Sequence, residues 1–256
     1  MGLLASIHYL TAASLRFSIP IVFVFQVLML TNLAHAQEEL PTAQQVIDDY
    51  MEALGGELSL RGLELVTMSG RVDREPNPKG EPNATFVFRF VGNKYLNTHT
   101  IIDGEEYHFG YDGSVSWQES EGQDRVNVEK NMQSSYFMSK SPTQVLSWLD
   151  MLDRVTVHGF KVIDGRETVE LHFNVFGGEV FKRYFDKETK LMVREDNGNN
   201  KRTFKYIDHE GIMFFSEITI HYKGKFYNTK QLSNFNVEPT EGSESIRFPE
   251  RLNSFR

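Results

Sequence analysis

Thr85-Phe86-Val87-Phe88-Arg89-Phe90 is the stretch that decides the fold. A phenylalanine at every second position is the two-residue period of a strand that buries one of its faces. The same period returns further along the chain. Tyr107, Phe109 and Tyr111 alternate with His108 and Gly110; Val169, Leu171, Phe173 and Val175 alternate with Glu170, His172 and Asn174. Ile218, Ile220 and Tyr222 alternate with Thr219 and His221. Between these runs stand Asp103-Gly104, Asp112-Gly113, Asp164-Gly165 and Asn197-Gly198, pairs that supply the positive φ of tight hairpins. An antiparallel meander is expected.

Helical spacing occurs twice. Thr42 and Gln45 form a capping-box pattern, and Val46, Ile47, Tyr50, Met51 and Leu54 follow at three- and four-residue steps. Gly55-Gly56 ends that run, since glycine takes the left-handed terminal conformation readily. Asp48, Asp49 and Glu52 fall on its wet side. Ser141-Pro142 opens a second, mid-chain stretch in the favoured cap and first-turn order, with Val145, Trp148, Leu149 and Leu152 at helical spacing.

At the N-terminus, Arg16 precedes an apolar run from Phe17 to Leu30 that closes on Ala34-His35-Ala36. A basic start, a short apolar core and a small-x-small exit read as a secretory signal cleaved after Ala36. The alternative is an uncleaved anchor, because a slightly longer apolar run spans a bilayer. Cleavage leaves residues 37–256 as one β domain with no stable membrane span, and removes only Arg16 among the charged residues, so the net charge of −8 becomes −9. That sign excludes a general nucleic-acid partner, whose phosphates call for a basic face. The absence of cysteine excludes disulfides, thiolate metal sites, a cysteine nucleophile and a lipidated N-terminal cysteine. The expected location is the periplasm, with secretion as the alternative.

The sequence is poor in catalytic signals. The histidines at 99, 108, 158, 172, 209 and 221 lack H-x-x-x-H and H-E-x-x-H spacing, and there is no G-x-S-x-G elbow, Walker loop or G-x-G-x-x-G. Neither an enzyme nor a metal or other cofactor is expected. A hydrolase would need a cleft holding an acid of shifted pKa.

Three stretches carry a family resemblance. Tyr111-Asp112-Gly113-Ser114-Val115-Ser116-Trp117 is similar to a family hairpin in which Asp-Gly precedes a strand bearing tryptophan. Tyr184-Phe185-Asp186-Lys187-Glu188-Thr189-Lys190-Leu191 resembles that family's strand, turn, strand step. Phe235-Asn236-Val237 followed by Ile246-Arg247-Phe248-Pro249 resembles its closing strand and final proline-bearing element. Together with the order of elements, these resemble the periplasmic lipoprotein carrier family, LolA and LolB-like, and the stretch Asp48 to Gly56 is closest to its sorting-protein-like branch. The resemblance implies an unclosed, strongly curved antiparallel β-barrel, mainly β, with the N-terminal helix and the mid-chain helical insertion as a lid. Its apolar concave face would receive acyl chains. The carrier's arginine followed by proline, just past its early aromatic strand, has no counterpart in Phe90-Val91-Gly92-Asn93-Lys94-Tyr95.

Residues and resemblance lead to the same expectation, a non-enzymatic periplasmic binding protein for a lipid or an acylated protein. Phe86, Phe88, Phe90, Tyr107, Phe109, Tyr111 and Trp117 would form the wall, and Tyr50, Met51, Leu54 and Trp148 the lid. The alternative is an interaction module with a closed core that docks on another envelope protein. A filled core and a hollow barrel produce the same alternation.

Overall fold

The computed structural model describes residues 39–74, 84–91, 94–101, 106–111, 116–120, 127–129, 143–174 and 178–238. Of these, 91, 94–101, 107, 109, 111, 116–120, 127–129 and 238 are described by their backbone alone. The expected signal segment at 1–36, Asp103-Gly104, Asp112-Gly113, Ser141-Pro142, Val175 and the stretch 246–249 lie outside the described residues.

Helix α1 (Ala43–Ala53) begins at the expected capping box: Thr42 Oγ1 accepts from the Gln45 amide at 3.1 Å, and Gln45 Oε1 from the Thr42 amide at 2.7 Å. Its apolar stripe is buried, and Asp48, Asp49 and Glu52 are exposed. Gly55 and Gly56 both take positive φ beyond it. At Gly55 a side chain is also excluded by space, since a Cβ would lie 2.6 Å from the Gly211 carbonyl. That close approach and a 3.0 Å bond from the Met213 amide to the Leu54 carbonyl fasten the end of α1 to a distant hairpin. A short helix, α2 (Glu57–Arg61), leads into the sheet.

Among the described residues, thirteen strands follow in one antiparallel sheet. The first group is β1 (Leu65–Asp73), β2 (Ala84–Val91), β3 (Lys94–Ile101), β4 (Glu106–Tyr111), β5 (Ser116–Ser120) and β6 (Asn127–Glu129). After α3 (Gln144–Trp148) and a 3-10 helix (Leu149–Arg154) come β7 (Val155–Ile163), β8 (Arg166–Asn174), β9 (Val180–Asp186), β10 (Met192–Asn197), β11 (Asn200–His209), β12 (Ile212–Tyr222) and β13 (Lys225–Glu238). Each group is a meander of sequential neighbours, and the pairing of β1 with β13 joins the two. Among the described strands β6 and β7 are the two edges, so the sheet is an open one. Helix α3 and the 3-10 helix directly precede β7, at one of these edges.

The hairpins show where local reading of turns works. Asp164-Gly165 forms its turn with φ of 50° and 82°. Asn197-Gly198 is displaced by one residue: Asn197 pairs with Asn200, and the loop is Gly198-Asn199. Glu210-Gly211 and Lys223-Gly224 make equivalent turns, with φ of 55° and 82° and of 50° and 75°. Here the following glycine, rather than an Asp or Asn before it, carries the turn.

The seam between the meanders has one irregularity. Ser69 pairs with Asn234 and Gly70 with Leu232, which leaves Ser233 as a bulge. At Gly70 the backbones approach so closely that a Cβ would fall 1.9 Å from the Gln231 carbonyl oxygen. Gly70→Ala must push β1 from β13, so we expect it to cost about 2–4 kcal/mol, read as a lowered urea midpoint.

Candidate functional site

The inner face of the sheet is built from the apolar phase of each strand. Val66, Met68 and Val72 on β1 stand beside Phe90, Phe88 and Ala84 on β2. On the other meander, Val169, Leu171 and Phe173 of β8 stand beside Phe185, Arg183 and Phe181 of β9. These apolar residues belong to one continuous core with the stripe of α1, Val145 and Trp148.

Tyr50, Met51, Leu54 and Trp148, the expected lid residues, are all buried in this core. Tyr50 stacks on Trp148 at 5.5 Å and meets Phe185 edge-on at 5.2 Å; Trp148 meets Phe173 edge-on at 5.1 Å. Among the described contacts the two helices thus rest on β8 and β9, in the second meander. Phe86, Phe88 and Phe90 are buried in the first. Backbone register brings Phe86 into line with His99 and Tyr107, Phe88 with Asn97 and Phe109, and Phe90 with Tyr95 and Tyr111. Trp117 falls outside these rows, since it pairs with Gly110. The side chains of Tyr107, Phe109, Tyr111 and Trp117 lie outside the described residues.

A polar row crosses the inner face next to the aromatic plug. Glu195 on β10 accepts from Arg183 Nε at 2.8 Å and from Arg202 Nη1 on β11 at 2.5 Å, and all three are buried. Arg183 also lies 4.2 Å from the Trp148 ring and 4.3 Å from Phe173, a cation-π contact on both. Burial opposes the Glu195 charge, but the two guanidinium groups outweigh it and hold the carboxyl below its ordinary range. Beside this row, Tyr206 donates to the Met192 carbonyl at 2.9 Å, so the 3.2 Å contact with Tyr50 is a bond from the Tyr50 hydroxyl to Tyr206 Oη. Burial pushes the Tyr50 hydroxyl up to about 12.

Beyond the polar row the face opens into a cavity of about 420 Å³. Its described lining comes from β1 and the segment after it (Val72, Arg74), β11 (Asn200, Arg202), β12 (Ile220, Tyr222) and β13 (Tyr227, Asn228, Lys230). This is the far end of β11 and β12 from the hairpin that anchors α1. The Lys230 ammonium is 5.5 Å from the Phe88 ring and 5.9 Å from Phe86, so the cavity adjoins the aromatic rows.

None of Arg183, Glu195, Arg202, Asn228 or Lys230 was among the expected site residues. Their signal is phase. Arg183 shares the apolar phase of Phe181 and Phe185, Arg202 that of Phe204, and Lys230 that of Leu232. The outer face also departs from expectation, because it is not uniformly wet. Glu170 is buried there and bonds His172 Nε2 at 2.6 Å, and the His172 ring stacks on His158 at 3.4 Å.

Glu195→Gln leaves Arg183 and Arg202 buried without their carboxylate, so we expect a loss of about 3–5 kcal/mol at neutral pH. Because the folded state depresses the Glu195 pKa, its contribution is present above the ordinary value of 4.5 and fades as pH falls through the folded value. The difference between wild type and Glu195→Gln in urea melts should shrink over that acid window. Tyr206→Phe leaves the buried Tyr50 hydroxyl without its acceptor and should cost about 1–3 kcal/mol, more than Tyr50→Phe in the same melts.

No family model matches the chain, and its sequence matches no curated protein. Solved structures do share the architecture. A LolA superfamily protein from Nitrosomonas europaea superposes with a TM-score of 0.54 at 9% identity, over 83% of this chain and 97% of its own. An outer membrane lipoprotein-sorting protein domain from Vibrio parahaemolyticus gives 0.53 at 9% identity, over 79% and 96%. At such identities the likeness speaks for the fold alone, which in this chain is an open antiparallel sheet with helices packed on one face.

Proposed function

We propose that this protein is a non-enzymatic binding protein of the bacterial envelope that holds an amphiphilic ligand, a lipid or a lipid-modified protein, on the inner face of its sheet. The observation that carries this reading is the cavity of about 420 Å³ where the aromatic rows of the first meander leave the helical plug. Its volume is that of a small-molecule site. Of its described lining, Val72 and Ile220 offer apolar surface on which each buried methylene contributes about 0.8 kcal/mol. The fold supports the same reading, since it is shared with lipoprotein-sorting proteins. In this reading α1 and α3 are a fixed plug over β8 and β9, and the ligand enters from the opposite end of the strands. Phe86, Phe88 and Phe90, in line with Tyr107, Phe109 and Tyr111, form its wall.

A second reading rests on the edge strand β7. Among the described residues its outer side has no strand neighbour, and Val162 near its end is 69% exposed. An extended segment of another envelope protein can pair with such an edge.

Native mass spectrometry of the protein purified from its own envelope, with extraction of bound lipid, tests the first reading. One bound amphiphile per chain is the expected result. Absence of lipid, together with no displaceable binding of a fluorescent fatty acid, overturns it and leaves the edge reading. In the same displacement assay, Ile220→Trp should fill the cavity and weaken the probe at least ten-fold. Because the larger side chain grows into open space, its urea midpoint should stay close to wild type.

A further inference from the structure

We infer that the hairpin joining β12 to β13 is a docking tip for an anionic lipid surface, on which it sets the mouth of the cavity. This deepens the carrier reading and rests on it, since an amphiphile would then pass from membrane to cavity without crossing water. The tip is Tyr222-Lys223-Gly224-Lys225-Phe226-Tyr227, turning at Lys223-Gly224 with φ of 50° and 75°. Tyr222 and Tyr227 line the cavity and yet are 45% and 53% exposed, so they stand at its rim. One exposed aromatic is ordinary; two at the rim of one opening form a patch. Tyrosine joins an apolar ring to a polar hydroxyl, the chemistry of the boundary between lipid headgroups and acyl chains. Each ring also carries a cation on its face. Lys223 Nζ lies 5.3 Å from the centre of Tyr222, and the Arg74 guanidinium 6.0 Å from that of Tyr227.

Charge is the second observation. The chain has 35 acidic and 27 basic residues, yet no acid occurs between Glu217 and Glu238, or between Asp196 and Asp208. The first interval holds the tip and the second the hairpin beside it, since the Lys223 amide donates to the Asn199 carbonyl at 2.8 Å. Lys223 and Lys225 are exposed, and neither makes an ion pair among the described residues. The acids that bound this region are engaged elsewhere. Asp196 accepts from two nitrogens of Arg194, Glu217 pairs with Lys205, and Asp73 on β1 pairs with Arg71 at 3.3 Å. The end of the molecule that bears the cavity mouth therefore carries positive charge on an acidic protein, and an anionic surface is its complement.

Size selects lipid over protein as the occupant. The tip is six residues long, whereas a stable protein interface takes about 20–30 residues from each side. A lipid surface needs no such area, because each lysine close to anionic headgroups is worth about five-fold in binding. The tight turn and the bond to Asn199 hold the tip in shape before contact, so little freedom is lost on docking. The opposite end of β12 is the hairpin fastened to α1, which leaves the helical plug away from the docked end.

Sedimentation with phosphatidylcholine vesicles, pure or mixed with phosphatidylglycerol, tests the tip. Wild type should bind the mixed vesicles at least ten-fold more tightly, and the joint Lys223→Gln, Lys225→Gln variant should lose most of that preference. Both lysines are exposed, so the variant should keep the wild-type urea midpoint and its affinity for a fluorescent fatty acid in solution. Because the chain has no cysteine, Asn199→Cys carries an environment-sensitive dye at one place beside the tip. Its emission should move to shorter wavelength on the mixed vesicles. Equal binding to the two vesicles, a preference that the lysine variant keeps, or a dye that does not respond overturns the docking tip. Binding to neither vesicle also overturns it and leaves the charge to an acidic protein partner. Fatty-acid binding that persists in any of these cases leaves the carrier reading standing. A lysine-dependent preference for mixed vesicles without fatty-acid binding keeps the tip as a membrane contact and overturns the carrier reading.

Discussion

Strands β1 and β13 are neighbours in space and the most distant strands in sequence, and their pairing is the constraint on which the rest of the molecule depends. Each meander is held by local hairpins, but a meander alone exposes its apolar face and two open edges. Joining them at β1 and β13 brings the valine, methionine and phenylalanine rows of the first into one core with those of the second. The register is strict, because a slip by one residue would reverse the faces of every strand beyond it. Gly70 sets how near the two backbones come, and the bulge at Ser233 absorbs the mismatch in their lengths.

The inner face that results has a packed region under the helices and a polar cavity at the far end of β11 and β12. Beneath α1 and α3, Tyr50, Trp148, Phe173 and Phe185 interlock, and Arg183 caps the rings with its guanidinium group. The ion pairs of Glu195 mark the change from this packing to the polar cavity. Buried ions of this kind rarely add net stability against an apolar replacement. Their presence in the middle of a hydrophobic face fits a surface on which position matters more than stability.

Much of this was legible in the sequence, and the gaps have physical causes. The capping box at Thr42, the stripe from Val46 to Leu54, the stop at Gly55-Gly56 and the alternation of Phe86, Phe88 and Phe90 are local signals, and they appear in the structure as read. Strand β1 was not anticipated, because Ser69-Gly70 interrupts its apolar phase at the seam. No local pattern could announce its partner, since residues 65–73 and 229–238 are joined only through the whole sheet. Residue type groups Trp117 with the aromatic wall, whereas its place depends on the register of β4 with β5. The polar row escapes a reading by residue type, because Arg183 and Arg202 become informative only as charged members of an apolar phase.

The seam also orders events in time. A ribosome makes β1 long before β13, so the first strand must wait for the last with one edge unmatched. During that interval the early meander presents its phenylalanine rows and a bare strand edge to any other chain nearby. Non-local pairing of this kind is slow even once the chain is whole. Closure of the seam therefore waits for the end of the described chain, because the partner of its first strand is its last.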